Sequence, residues 1–411
     1  MSSTPNPSRR RRWLQLLAAL LALTFVAAAC GSDDDEGDDA SASASASASA
    51  SASASASASA SEPAEEDDAM EEDDAMEEDD AMEEDDAMEE EGDGEATADS
   101  ANVVVVACGD GSSFATPSSP STELTVALVA PSASADLAFT QSMVDSLGAL
   151  GIQPQVTDGT FVVEEAAAAI RGYAEDGIDV VIAHGTQYGG SLAEIAPDFP
   201  ETSFVWGTSS DTQGIENVFA YTPAADQGGY VLGTIAAALT ESGTIGMVGP
   251  VEAGDASLYV EGFEAGAAAE GAATNITYTG QFGDVQLATE AAEAHVSVGA
   301  DVLTGTAQHV VGAINVASAE GIPWFGTQSN QTSLAEDLVV ASQVYHWEVV
   351  LAEIFAQIEG GTLGGEVYEL TLENNGLVIE FNDCRDGAAD LVAGAQATVD
   401  GIIAGDIDTG V

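Results

Sequence analysis

The sequence predicts an α/β protein of two doubly wound, parallel-sheet lobes joined by a hinge, and three observations carry that reading. Short apolar runs alternate with helix-length amphipathic stretches from about residue 123 onward. The alternation starts afresh near residue 224, as if a second unit began there. The alternating part is also long, about 290 residues, which exceeds what one hydrophobic core ordinarily supports.

The first series reads as a strand at 124–129, a helix at 136–150, a strand at 152–156 and a helix at 162–176. A strand at 178–183, a helix at 188–196 and a strand at 203–206 complete it. Runs such as Val180-Val181-Ile182 lack polar alternation, which marks strands buried on both faces of a parallel sheet. The second series has helices at 224–239, 257–270 and 284–298, with strands at 244–248, 276–278, 301–303 and 324–326. Beyond it the pattern loosens. A strand at 338–344 feeds a helix at 347–358, and a last helix covers 386–404. Runs 367–371 and 377–381 read as an antiparallel pair around Asn374-Asn375-Gly376, because Asn-Gly favours a tight turn. The expected organisation is therefore a leading segment at 101–121, one lobe at 122–229 with part of 340–365, and a second at 230–340 with part of 366–411. A cleft between the lobes is the expected ligand site.

Charge narrows the functions. Of 411 residues, 71 are Asp or Glu and only six are Lys or Arg, for a formal charge of −65. All six cations are arginine: Arg9, Arg10, Arg11, Arg12, Arg171 and Arg385. The absence of lysine excludes a Schiff-base lysine and a Walker phosphate-binding lysine, and the acidity excludes a nucleic-acid binder. Of the 71 acids, 29 fall in residues 30–100, leaving 42 in residues 101–411 against two arginines. That repulsion is tolerable where salt shortens the Debye length to ~3 Å at 1 M, so a halophilic setting is expected.

The four arginines precede an apolar run at 13–29 that ends in Ala27-Ala28-Ala29-Cys30. Seventeen residues span about 25 Å as a helix, short for a membrane crossing. The pattern reads as a lipoprotein signal peptide at 1–29, with Cys30 the lipidated (palmitate-type) residue that holds the chain to the outer face of the cell membrane. Residues 30–100 read as a disordered tether of Ala-Ser alternation and four Glu-Glu-Asp-Asp-Ala-Met repeats, neither of which offers enough apolar area to offset chain entropy. Cys108 and Cys384 flank the domain, and an exported compartment permits them to pair; two free thiols is the alternative.

The particular words of the domain resemble the basic membrane protein family of ABC-transporter substrate-binding lipoproteins over residues 122–405. They are Asp136-Leu137-Ala138-Phe139-Thr140-Gln141-Ser142, Ala196-Pro197-Asp198-Phe199-Pro200, Gly228-Gly229-Tyr230-Val231-Leu232-Gly233, Gly262-Phe263-Glu264-Ala265-Gly266, Gly299-Ala300-Asp301-Val302 and Ser342-Gln343-Val344-Tyr345-His346-Trp347. The resemblance implies a type I periplasmic-binding-protein fold with a purine nucleoside or nucleobase held between lobes. It also implies a permease and an ATPase as partners, no cofactor, no metal and no catalysis. Phe139 matches the family's stacking aromatic, and Thr140 stands where the nucleoside branch has Asn. The acidic ribose ligands of that branch align near Ala130, Gly207 and Gln328, and its lysine aligns near Tyr345. The tail Tyr345-His346-Trp347 resembles instead a branch with aromatic residues there, which favours a flat, uncharged aromatic ligand over a sugar.

Physical reading of the residues adds candidates. Trp206, Trp324 and Trp347 lie at strand ends or helix starts, where two of them are placed to sandwich a ring; core packing is the alternative for each. Gln187, Gln328 and Asn330 offer paired donors and acceptors to a ring edge. His184 and Tyr188 flank a loop at the carboxyl end of the third strand, where open α/β sheets hold ligands; a solvent-facing turn is the alternative. Four histidines without ligand spacing make no metal site. Against the leading reading, a monomeric receptor for a small solute, stand a tethered sensor that signals without transport and an exported hydrolase. No Gly-x-Ser-x-Gly elbow or His-Glu-x-x-His motif supports the hydrolase.

Overall fold

The computed structural model describes residues 102–411 apart from 110, 112 and 116; the expected signal peptide, Cys30 and the expected tether lie outside the described residues. Two sheets organise the chain. Strand β1 (Val103–Val106) forms the edge of the second sheet, and the chain then enters the first lobe. There β2 (Val126–Val129), β3 (Gln155–Thr157), β4 (Val180–His184), β5 (Ser203–Gly207) and β6 (Val218–Pro223) alternate with helices α1 (Phe139–Ala149), α2 (Val163–Glu175) and α3 (Gly189–Ile195). After β6 the chain crosses into the second lobe, built from α4 (Ala225–Leu239), β7 (Thr244–Gly249), α5 (Gly254–Ala269), β8 (Ala273–Tyr278), α6 (Val285–Ser297), β9 (Val302–Gly305), α7 (Val311–Glu320), β10 (Trp324–Gln328) and β11 (Val339–Tyr345). It returns through α8 (Glu348–Glu359) and β12 (Val367–Leu370), then crosses once more to β13 (Leu377–Asn382) and α9 (Ala388–Ile403).

The first sheet has the order β12-β6-β5-β4-β2-β3, every pair parallel. The second runs β1-β13-β11-β10-β9-β7-β8, parallel except between β11 and β13. Both sheets are covered on both faces, which explains the unbroken apolar runs. In the first lobe Leu128, Ile182 and Val205 face one core, while Val129, Val181 and Phe204 face another beneath α2 and α3. The first of these cores continues into the second lobe through Met247, Val302 and Phe325.

One expectation is overturned. Residues 367–370 and 377–382 do not form a hairpin: β12 pairs with β6 of the first lobe, whereas β13 pairs with β11 and β1 of the second. The segment around Asn375 (φ 58°) is a turn, but it carries the chain from one lobe to the other. A turn signal sets the bend but not the strand partners: Leu370 pairs with Pro223 of the first sheet and Leu377 with Tyr345 of the second, and both are fully buried.

Several of the glycine words have a packing reason. A Cβ at Gly262 would lie 2.1 Å from the Asp226 carbonyl oxygen, and one at Gly266 would lie 2.1 Å from that of Tyr230. Helices α4 and α5 therefore touch backbone to backbone. Cys108 and Cys384 are bonded to each other, with Cα atoms 4.8 Å apart, which fastens the leading segment to the end of β13. No helix among the described residues is long and apolar enough to cross a membrane.

Candidate ligand site

The carboxyl ends of β2, β4 and β5 face those of β7, β9 and β10 across a cavity of about 240 Å³. Its first-lobe wall is Pro131, Phe139, Phe161, Gly185, Thr186 and Gln187; the second lobe supplies Val251, Gly254, Asp255, Phe282, Gln308 and Gln328, among others. The lobes touch around it. Gln308 Nε2 donates to Ser132 Oγ (3.0 Å), Thr208 Oγ1 to Asp255 Oδ1 (3.3 Å) and Ser329 Oγ to the Ala138 carbonyl (2.8 Å).

The start of α1 is set by Asp136. Its carboxylate accepts the backbone N–H groups of Ala138 (2.9 Å), Thr140 (3.2 Å) and Gln141 (3.1 Å), satisfying donors that a helix start leaves open, and also takes the Ser132 hydroxyl. Leu137 accordingly adopts φ 53°. This turn presents Phe139 to the cavity, with its far face stacked on His184 at 3.8 Å between ring centroids and 7° between planes. His184 is fully buried, and loss of solvation pushes it down to about 3, so the ring is neutral. Its Nε2–H donates to the Phe139 carbonyl (3.1 Å), which leaves Nδ1 to accept from Tyr221 Oη (2.6 Å). Tyr221 continues the stack at 5.9 Å and 13°. Trp347 stands edge-on to Phe139, His184 and Tyr221, and donates its Nε1–H to Ser142 Oγ (2.9 Å). The result is a rigid, uncharged aromatic wall.

On the opposite side Asp255 occupies the first turn of α5, with no cation beside it. Its Oδ2 accepts from Gln328 Nε2 (3.1 Å) and Tyr345 Oη (3.3 Å). Burial pushes this carboxyl above its usual range, against those donors. Two cavity residues that are not glycine, Ala307 (φ 72°) and Gln328 (φ 73°), hold left-handed backbone, a strained state that clusters at binding sites. Phe161 and Phe282, 43% and 39% exposed, form aromatic lips from the two lobes, and Phe161 reaches over to Gly283. Neither folded-domain arginine lines the cavity: Arg171 pairs with Asp198 and Arg385 bonds the Asp337 carbonyl.

Of the residues singled out in the sequence, Phe139, Gln187 and Gln328 line the cavity together. His184, Tyr345 and Trp347 stand one layer behind it, as supports for Phe139 and Asp255. Thr140 is buried and bonded to Ser132, Tyr188 is a core residue bonded to Thr160, and Asn330 bonds Glu380 near the hinge. The expected tryptophan sandwich is not formed. Trp206 packs against Gly189 and bonds the Gly185 carbonyl, and Trp324 is fully buried and bonded to Gln331. Strand-end positions fix where a tryptophan starts, but its ring turns to whichever side has core to fill. Asp255, Phe161, Phe282 and Gln308 were missed. The pair Gly254-Asp255 just after an apolar strand was the available signal, since an open α/β sheet holds ligands there.

Two lobes meeting around one apolar-walled cavity give the architecture of a solute-binding protein. Residues 123–389 match the family described as ABC transporter substrate-binding protein PnrA-like (Bmp), and the chain belongs to that family, whose members bind solutes rather than transform them. It is 26% identical over 213 residues to a purine-binding protein of Brucella abortus (strain 2308); the aligned region is 50% of this chain and 59% of that relative's length. An ABC transporter solute-binding protein of Conexibacter woesei DSM 14684 superposes with a TM-score of 0.58 at 26% identity, covering 69% of this chain and 98% of the other. One from Aeropyrum pernix K1, at 18% identity, gives a TM-score of 0.59 over 69% of this chain and 92% of its own, and so shares the fold. Among the described residues no group of three His, Cys, Asp or Glu is arranged to hold a metal ion.

Proposed function

We propose that the chain is the extracytoplasmic receptor of an ABC importer, held to the membrane by lipid on Cys30, which captures a purine base by lobe closure and hands it to a permease. An ATPase drives the importer, and the receptor acts as a monomer. The observation that carries the ligand class is the wall of Phe139 backed by neutral His184, facing a cavity with no cation. A flat uncharged ring stacks there, whereas a phosphate finds nothing to pair with. The volume of about 240 Å³ is below the roughly 300–1,000 Å³ of sites for larger ligands. That favours a base over a nucleoside, in keeping with the purine-binding relative.

Removing the stacking ring tests the reading. Phe139→Ala is expected to weaken purine binding roughly 5- to 150-fold, the equivalent of ~1–3 kcal/mol of base–aromatic stacking, measured by equilibrium dialysis with radiolabelled base. Unchanged affinity would place the ligand elsewhere.

The acidity belongs to the surroundings rather than to the ligand. With 42 acids against two arginines in residues 101–411, the melting temperature is expected to rise from low to molar salt as screening sets in. A melting temperature flat across that range would contradict a saline habitat.

A further inference from the structure

We infer that the ligand offers paired N–H donors on one edge, as a ring N–H beside an exocyclic amino group does, and that Asp255 with Gln328 selects it. This rests on the purine-receptor reading and narrows it.

Two glutamines of the cavity lining, Gln328 and Gln308, carry buried side-chain oxygens without a partner. Gln328 is 3% exposed, and its Nε2 is committed to Asp255, which fixes the orientation of the amide and leaves Oε1 buried without a partner. Gln308 is oriented in the same way. The Ser132 hydroxyl donates to Asp136 (2.6 Å), so its oxygen accepts from Gln308 Nε2, and Gln308 Oε1 is left with no partner. The Asp255 carboxylate takes three donors and has about four acceptor positions, so it keeps capacity on the atom that meets Thr208. Gln328 Oε1 sits on the amide whose nitrogen is bonded to the Asp255 carboxylate. Buried acceptors left unpaired are costly, and a ligand edge bearing two adjacent N–H groups removes that cost. An edge that presents a carbonyl oxygen there adds repulsion to it. No lysine or arginine lines the cavity to reverse this preference.

The test compares guanine with hypoxanthine, which differ by the 2-amino group, on the full chain after unfolding and refolding to free it of carried ligand. Guanine is expected to bind at least tenfold more tightly, and Asp255→Asn to erase most of that ratio. A second pair, 2-aminobenzimidazole against benzimidazole, carries the same donor edge without a purine. If neither purine binds but 2-aminobenzimidazole exceeds benzimidazole tenfold, the donor edge stands and the purine reading falls. Equal binding within both pairs, or an Asp255→Asn change that weakens both members alike, would overturn the inference.

Discussion

His346→Ala is expected to destabilise the protein by ~3–5 kcal/mol, because it strips a buried carboxylate of its charged partner. His346 ends the β11 crossing between lobes and is 7% exposed, with Nδ1 2.7 Å from Glu348 Oε1 and Nε2 3.7 Å from Glu380 Oε1. Glu380 is 1% exposed and also receives Ser113 Oγ and Asn330 Nδ2, while Phe114 stacks on the imidazole at 4.4 Å. Burial works against the imidazolium, but the two carboxylates outweigh it and hold His346 up at about 9. A histidine raised above its unfolded value of 6.5 adds stability that is fully present below that pH and is lost as pH rises through about 9. Urea unfolding of the parent chain should therefore lose about 3 kcal/mol between pH 6.5 and 9.5. His346→Gln should unfold with a much flatter profile across that window. If the parent is itself flat there, the hinge histidine is not charged.

Trp347→Ala is the second large effect. The indole is fully buried and stands edge-on to Phe139, His184, Tyr221 and Tyr345. Its loss should cost ~3–5 kcal/mol, or about 10 °C in melting temperature, since the surrounding rings cannot collapse into the space. The Ser142 hydroxyl also loses its donor. Purine affinity should fall as well, although Trp347 does not touch the cavity, because Phe139 is held from behind. Trp347→Phe leaves a smaller space and should cost roughly 1–3 kcal/mol, less than Trp347→Ala. Equal losses in the two variants, read by calorimetry, would show that the hydrogen bond rather than the packing matters.

The fold was legible because its strands are covered on both faces: an uninterrupted run such as Val180-Val181-Ile182 has few other uses. The family words were legible for a physical reason too, since Gly262 and Gly266 sit where a Cβ would meet backbone. The lobe crossing at 371–376 was not legible, because a turn signal gives the bend and not the partners of the strands on either side of it. In the site, Phe139 could be read from its place in a recognisable word. Phe161 and Phe282 could not, for they lie in loops with no period, and only the meeting of the two lobes makes them lips. Asp255 resembled any acidic residue in a first helical turn, and its isolation from every cation appears only in three dimensions.

Isothermal titration calorimetry of the full chain, unfolded and refolded in molar salt to remove carried ligand, tests the central claim most directly. Titrated with purine bases, it should show saturable binding at one site per chain, with the base recovered unaltered by chromatography. Absence of heat for every purine base, or conversion of the base to a product, would contradict a purine receptor.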